Sequence, residues 1–582
     1  MESKPIKKKR IIRKIATKQK APLTAEQIHA KEKRFHARSY TSLFKGLGFS
    51  SIHCDGKEFN FKGRTGEIDG LFIYENVILI VEFTVGKSSS AHLLKKKPLY
   101  DLINDDLPAF LDFAKQKFNG FAAALNPIYP DAAYVSRIIY ASKSDPSDEL
   151  IQLLPEVTFS YGAVAKYFQA LVRTVERSAR IEFFKYLKLD FNQVGEASIT
   201  NSTSPLTYEG FLLPDGNSSY PKNFKIVSFY ADPERLINRA YVLRRDGWRD
   251  GAHLYQRILL AKKIRQMRRY LVEEKRVFVN NIIVTLPSDT VLNEVGTNGT
   301  NIKPQELTRV KEVKVQIPDG FDTIGLVDGQ HRVFCYHEGS DKYEDQIKVL
   351  RKKQNLMVTG IVYPSGYTEA NRRSFEAKLF LEINDNQARA RSSLKHDIEV
   401  IIRPASGIAI SKRVIQELSK HGPLRGMLQT NYFDSPNKIK TSSIVAYGLR
   451  PIVKLDGNDS FFSRWNNAEK LKLKDKQAHS RQDLIEEYVQ FCTSALNDFI
   501  LAVKLKYGSA GWDLDEKTRS PLLSPTALNG LIVCLRKIIE NGHELSRAAH
   551  DKKLQSVTSF DFAQFKSSQW QRLGTAFYEN HY

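Results

Sequence analysis

The chain has 582 residues, 42% of them apolar and 11% aromatic, enough for several packed cores and too many for one ordinary domain. Its 88 Lys and Arg against 65 Asp and Glu leave a formal charge of +23, spread along the chain, which points to a polyanionic partner such as nucleic acid. There is no run of about 18 apolar residues and no apolar stretch behind the N-terminal lysines, so no spanning helix, secretory signal or membrane partner is expected and the chain is read as cytoplasmic.

Residues 1–22 carry nine Lys or Arg against one Glu and read as a disordered basic arm with non-specific phosphate affinity. Residues 23–198 form an α/β domain. Thr24 caps a helix predicted through Phe44; strands follow at 57–62, 67–74 and 77–85, a helix over 91–117, a strand over Val135–Ser142 and helix over Gly162–Leu187. The Ser/Thr/Asn/Gly/Pro-rich stretch 199–223 reads as a linker. A second domain, 224–405, opens with a strand at Phe224–Tyr230 and a basic helix over Tyr255–Lys275, then strands at 278–286, 321–327 and 356–363. After 366 the pattern turns helical, and 406–582 is a mostly helical region with helices over Ile485–Leu505 and Pro525–Glu540. Cys54, Cys335, Cys492 and Cys534 are far apart and read as reduced, buried thiols.

The segment GEIDGLFIYENVILIVEFTVGK (66–87) carries the first chemistry. A turn at Glu75-Asn76 pairs Tyr74 with Val77, so that paired numbers sum to 151. Asp69 then faces Glu82 and Glu67 faces Thr84, above the apolar pairs Leu71/Ile80 and Ile73/Ile78; Phe72, Val77, Leu79 and Val81 make the other face apolar too. Two opposed carboxylates destabilise a ladder unless a cation compensates them, and their oxygens suit Mg²⁺. The open alternative is a solvated hairpin end paired to local lysines.

An Asp, a hairpin and a Glu after a Glu-bearing helix resemble the PD-(D/E)xK restriction-endonuclease-like fold, and GEID…ILIVEFT is similar to its Mrr/RecB-type version over residues 24–195. The resemblance implies a Mg²⁺-dependent nuclease with Asp69 and Glu82 as metal ligands and Glu32 as a third candidate. Thr84 stands in the place of the family's catalytic lysine, so the resemblance implies either an inactive site or a substitute: Lys87, or one of Lys95 to Lys97 on the next helix.

The second chemistry lies in FDTIGLVDGQHRVFCYHEG (321–339), where a strand, an Asp328-Gly329 turn and a short helix from His331 to Gly339 present backbone N–H groups to a phosphate. Arg332 and His331 are candidate phosphate donors and Asp328 a candidate Mg²⁺ or water holder; a structural Asp328–Arg332 pair is the alternative. DGQHR resembles the signature of the DGQHR family, which includes DndB of DNA phosphorothioation systems, and more distantly the ParB/sulfiredoxin-like fold. The resemblance extends through YQRILLAKKIRQMRRYL, LFLEINDNQARARSSLKHDI and KIKTSSIVAYGLRPIV. It implies nucleotide (ATP or GTP) or nucleic-acid binding at Asp328, Gly329, Gln330, His331 and Arg332, with Asn384 and Gln387 beside them in a turn after a strand.

On the basic helix, Leu260, Ile264, Met267 and Leu271 form an apolar stripe, with Lys262, Arg265 and Arg269 on another face, either solvated or tracking DNA phosphates. Trp248 and Tyr255 either stack a base or pack in the core. The expectation is a multidomain α/β and α+β protein that targets DNA in a bacterial defence or modification-linked system, a Mg²⁺-dependent endonuclease controlled by a nucleotide-binding DGQHR domain. Partners are DNA, an NTP, other proteins of the system and a second copy of the chain. The alternatives are a non-catalytic DndB-like DNA-binding regulator and an NTPase partner of a modification enzyme.

Overall fold

The computed structural model describes residues 24–582 except 55, 57, 87–89, 201–203, 245–255, 257, 297–301, 303, 386–391, 432, 476–477, 509, 511, 516–517 and 556. The basic arm, Lys87, Trp248, Tyr255 and Gln387 therefore lie outside the described residues, as does the side chain of Asn384. The fold is mixed α/β with several sheets and, among the described residues, no helix long and apolar enough to cross a membrane.

Helix α1 (Ala25–Gly46) starts where Thr24 accepts the Gln27 N–H while the Gln27 side chain takes the Thr24 N–H, a reciprocal cap that satisfies two helix-end donors. A five-stranded sheet follows, built from β1 (Ser50–Ile52), β4 (Gly70–Tyr74), β5 (Val77–Thr84), β6 (Val135–Ser142) and β7 (Val157–Ser160) in the order β1-β4-β5-β6-β7. Strands β2 (Phe59–Phe61) and β3 (Arg64–Gly66) pair separately, so the strand expected over 67–74 begins only at Gly70. The expected 91–117 helix is two, α2 (Ser90–Asp105) and α3 (Leu107–Lys117), parted where Asp106 caps α3 through the Ala109 N–H. Helices α4 (Gly162–Val175) and α5 (Arg180–Tyr186) close this lobe.

The hairpin register is as the sequence dictates, from Tyr74↔Val77 to Gly70↔Val81. Glu75 takes a positive φ of 49° at the turn, and the buried Asn76 side chain donates to the Ala133 and Gln193 carbonyls and accepts the Gly195 N–H. The strand pair is central and apolar on both faces, each face feeding a separate core.

The 199–223 stretch is no linker: β8 (Leu206–Leu213) crosses it, buried at every second residue, and lies inside an eight-stranded sheet. The other strands of that sheet are β9 (Lys225–Ala231), β10 (Ala240–Tyr241), β11 (Ile282–Leu286), β12 (Val291–Glu294), β13 (Lys311–Ile317), β14 (Ile324–Asp328) and β15 (Leu356–Val362), in the order β10-β14-β11-β15-β9-β8-β13-β12. The basic helix, α6 (Ala261–Glu273), starts at Ala261, later than expected. Helix α7 (Gln330–Phe334) ends well before Gly339. The helical pattern expected after 366 holds in helix α8 (Glu369–Asp385), which runs to Asp385, so Asn384 ends a helix and does not follow a strand. One continuous core joins the two sheets, running from Phe44 and Val81 through Phe168 and Phe183 to Val284 and Leu326. A different core begins at Ala405 and holds the helical region, including α9 (Gly407–Lys420), α10 (Gln482–Tyr507) and α11 (Pro525–Glu540). All four cysteines are buried thiols outside any disulfide.

Candidate functional site

The β4–β5 ladder ends at Gly70↔Val81, so Asp69 lies one residue beyond the last hydrogen-bonded pair, with its charge still felt at Glu82. Its carboxylate accepts the Phe83 N–H at Oδ2 (2.8 Å) and meets Lys33 of α1 at Oδ1 (3.4 Å). Glu82 is 2% exposed and lies under α2, where Lys96 Nζ donates to its Oε2 at 2.5 Å. Lys96, itself buried, also reaches the Glu67 carbonyl (3.2 Å) and its carboxylate (3.5 Å). Glu82 Oε1 and the hydroxyls of Tyr100 and Tyr140 are buried without a partner at hydrogen-bonding geometry. Burial raises the Glu82 pKa to about 7, against the pull of Lys96 and with the Asp69 charge adding to the rise.

Of the candidate substitutes among the described residues, Lys96 is brought to the carboxylates, whereas Lys97 pairs with Asp101 and Glu156. Glu32, the third ligand candidate, points elsewhere and pairs with Lys143 (3.1 Å). The donor set fits a hard cation in one respect, a buried carboxylate beside a second carboxylate, with the Tyr100 hydroxyl also at hand to donate to Glu82. No group of three or more His, Cys, Asp or Glu able to hold a metal is found among the described residues.

At the DGQHR turn, Gly329 takes φ +97° and a Cβ there would lie 2.6 Å from Ile282 Cδ1, so the turn requires glycine. Arg332 Nη2 donates to Asp328 Oδ2 (2.9 Å) and to the Asn281 carbonyl (2.8 Å), which gives the structural Asp328–Arg332 pair. His331 Nε2 accepts the Leu260 N–H (3.2 Å); burial and the charges of Lys263, Arg244 and Arg332 lower its pKa to about 4, so it is neutral at pH 7.

Sequence reasoning passed over Arg244, which is 1% exposed. It donates to Gln330 Oε1 (3.1 Å) of the DGQHR turn and to Glu182 Oε2 (2.7 Å) on α5, and stacks over Phe334 (4.8 Å). A second tie runs from Glu338 to Arg177 (3.0 Å) and Arg180 (3.4 Å), and Arg180 lies over Tyr74 (3.8 Å) at the hairpin turn. The Tyr255-to-Lys275 pattern carried no sign of these links, because they join residues far apart in the chain. On α6, Ile264 and Leu271 are buried and Met267 half-buried, whereas Leu260 is exposed; Lys262, Arg265 and Arg269 face solvent, Arg269 beside Glu273. Arg268 of the same helix is buried and bound to Asp341 and Glu344.

No protein-family model, curated protein or solved structure matches the chain.

Proposed function

We propose that the protein is a Mg²⁺-dependent DNA endonuclease whose hairpin lobe hydrolyses phosphodiesters under the control of the DGQHR lobe, in a bacterial defence or DNA-modification-linked setting. The observation that carries this reading is Lys96 Nζ at 2.5 Å from Glu82, beside Asp69, which puts a lysine at the carboxylates although Thr84 stands where the fold usually has one. Asp69 and Glu82 would hold the cation. When bound, Mg²⁺ supplies an activated water and charge stabilisation at the phosphate. Lys96 keeps Glu82 oriented and sets a positive charge where negative charge develops. Phe83 N–H fixes the Asp69 carboxylate at the ladder end. ATP or GTP at the DGQHR turn would act through Arg244, which bridges Gln330 to Glu182 in the hairpin lobe.

The second reading, a non-catalytic DNA-binding regulator, is favoured by Thr84 and by the closed Lys96–Glu82 pair, which neutralises the site without a metal. Plasmid DNA incubated with Mg²⁺, with and without ATP, separates the two. The nuclease reading expects cleavage by the wild type and none by Asp69→Ala, Glu82→Ala or Lys96→Ala, each still binding DNA. Cleavage that survives any of these three changes sinks it, and binding without cleavage in the wild type leaves the regulator.

A further inference from the structure

Helix α1 packs one side, Tyr40, Leu43 and Phe44, on the hairpin sheet, with Tyr40 against Phe83 and Phe44 against Phe72. Its opposite side is cationic. Lys31, Arg34, Arg38 and Lys45 follow one another at intervals of three, four and seven residues, which at 3.6 residues per turn places them within about 60° around the helix axis. All four are exposed, and none meets an acidic side chain among the described residues; Arg34 donates to the Ala30 carbonyl of its own helix (3.3 Å). The acids of α1, Glu26 and Glu32, fall on other sides, with Glu32 paired to Lys143. From Lys31 to Lys45 the stripe runs about 21 Å at 1.5 Å per residue. Arg34 and Lys45 also line a cavity between α1 and β1 that Asp69 borders, and Lys33, on the inner side of the helix, meets Asp69 at 3.4 Å. The solvent-facing cations of α6 lack both features: Glu273 sits 3.6 Å from Arg269 among them, and none of them lines that cavity.

Resting on DNA as the partner, which both functional readings share, we infer that this stripe is the duplex-docking surface of the hairpin lobe. It lies along the sugar–phosphate backbone of intact double-stranded DNA, and its Arg34 and Lys45 end brings a strand to the cavity at Asp69. An acid-free row of unpaired cations calls for a polyanion. A helix that fixes the spacing of those cations suits a polyanion whose phosphates are also fixed in space, as they are in a duplex. Contacts to phosphates alone carry no sequence information, so the docking is sequence-independent. The competing anionic surface is a membrane, which needs a broad apolar face beside the cations. On the exposed part of α1 the large apolar side chains are Ile28 and Phe35, too few to seat a helix in lipid.

The test is fluorescence anisotropy of a labelled duplex oligonucleotide with the full chain, over about 50 to 200 mM salt and with a chelator present to prevent cleavage. The wild type is compared with Lys31→Ala/Arg34→Ala/Arg38→Ala/Lys45→Ala. Each phosphate contact contributes about 0.9 to the slope of log affinity against log salt, so the quadruple variant should lose about 3 to 4 of that slope. It should also bind at least about tenfold more weakly at the low-salt end, to the same extent for two unrelated sequences. Alanine preserves the helix, so the melting temperature should hold. Lys31→Gln/Arg38→Gln, the two members that do not line the cavity, should give about half the slope change. An unchanged slope in both variants overturns the inference, as does a loss confined to one sequence. Pelleting of the wild type with phosphatidylserine vesicles, lost in the quadruple variant while duplex affinity stays, overturns it in favour of a membrane. The readings fail distinguishably. No duplex binding by the wild type removes DNA as the partner and the stripe with it; duplex binding and Mg²⁺-dependent plasmid cleavage with an unchanged slope in the variants remove the stripe alone.

Discussion

The hairpin end and the DGQHR turn carry the same kinds of side chain, carboxylates beside cations at the end of a strand, but the fold has engaged them with different partners. At the hairpin, Glu82 is bound at one oxygen by Lys96 and lies beside the Tyr100 hydroxyl, and Asp69 takes the Phe83 N–H and Lys33. At the turn, Arg332 Nη2 is bound to Asp328 and to a main-chain carbonyl while its Nε is buried without a partner, and His331 accepts a main-chain N–H. Unmet hydrogen-bonding capacity is present in both; what differs is the partner, for Glu82 is held by a lysine of another element and Asp328 by an arginine four residues along its own turn.

The largest effect should come from splitting the buried pair. Lys96→Met leaves the Glu82 carboxylate buried without its cation, and breaking such a pair costs about 3–5 kcal/mol. Denaturant unfolding should show that loss, and Glu82→Gln/Lys96→Met should recover most of it because no uncompensated charge remains. If the single and double variants unfold alike, the pair is more solvated than its burial indicates and the contrast between the two regions weakens.

At the turn, Arg332→Ala should cost stability first, about 1.5–3 kcal/mol for a charge-assisted contact. Gly329→Ala should cost about 1–3 kcal/mol through its left-handed backbone and the Ile282 contact. Calorimetry with ATP and GTP on Arg332→Ala sharpens the comparison. A large drop in nucleotide affinity with an unchanged melting temperature would show that the arginine leaves Asp328 to serve a ligand.

A smaller effect follows from the buried histidines. His331 and His550 have pKa values lowered to about 4, and His337 to about 3, chiefly by burial, against an ordinary value of 6.5. Below pH 6.5 the unfolded chain therefore binds protons that the folded chain refuses, so stability is full above 6.5 and falls as the pH drops toward 4 and 3. Glu82, with its pKa raised to about 7, works in the opposite sense over the same range, so melting temperatures between pH 7 and 4 should show a net decline set by the three histidines, and His331→Asn should lessen it. An unaltered slope in that variant would mean that the His331 ring is protonated in the fold and free of the Leu260 N–H.

Much of the hairpin was legible because its register follows from a two-residue turn and a strict alternation of apolar residues; Leu71, Ile73, Ile78 and Ile80 do face one core and Phe72, Leu79 and Val81 the other. Its polar end was not, since the ladder stops at Gly70 and the Asp69 side chain takes a main-chain donor that a further residue pair would have used. Among three adjacent lysines, spacing alone could not choose Lys96, although its position four residues before Tyr100 puts both on the α2 face that covers Glu82. Strand β8 was hidden by its Ser- and Pro-rich flanks, while LTYEGFLL itself alternates as a half-buried strand does. Arg244 and Glu338 were illegible for another reason: an isolated arginine or glutamate says nothing of a partner more than sixty residues away in the other lobe.

The smallest predicted effect tests whether the hairpin site depends on the ordering of α1, whose Lys33 meets Asp69. Residues 24–35 are exposed, Ile28 and Phe35 among them, so the first turns of α1 have little packing to hold them and rely on the Thr24 cap. Thr24→Ala removes the side-chain acceptor for the Gln27 N–H, a loss of about 1 kcal/mol confined to a segment that frays independently of the core. Hydrogen exchange should therefore rise over residues 25–34 while the denaturation midpoint stays within error. Lys33 lies at the end of that segment, and the DGQHR lobe, which makes no contact with those turns through Arg244 or Glu338, should keep its exchange pattern. Faster exchange at the DGQHR turn in Thr24→Ala would mean that the two regions are coupled through α1 and that their different engagement is not a local property of each.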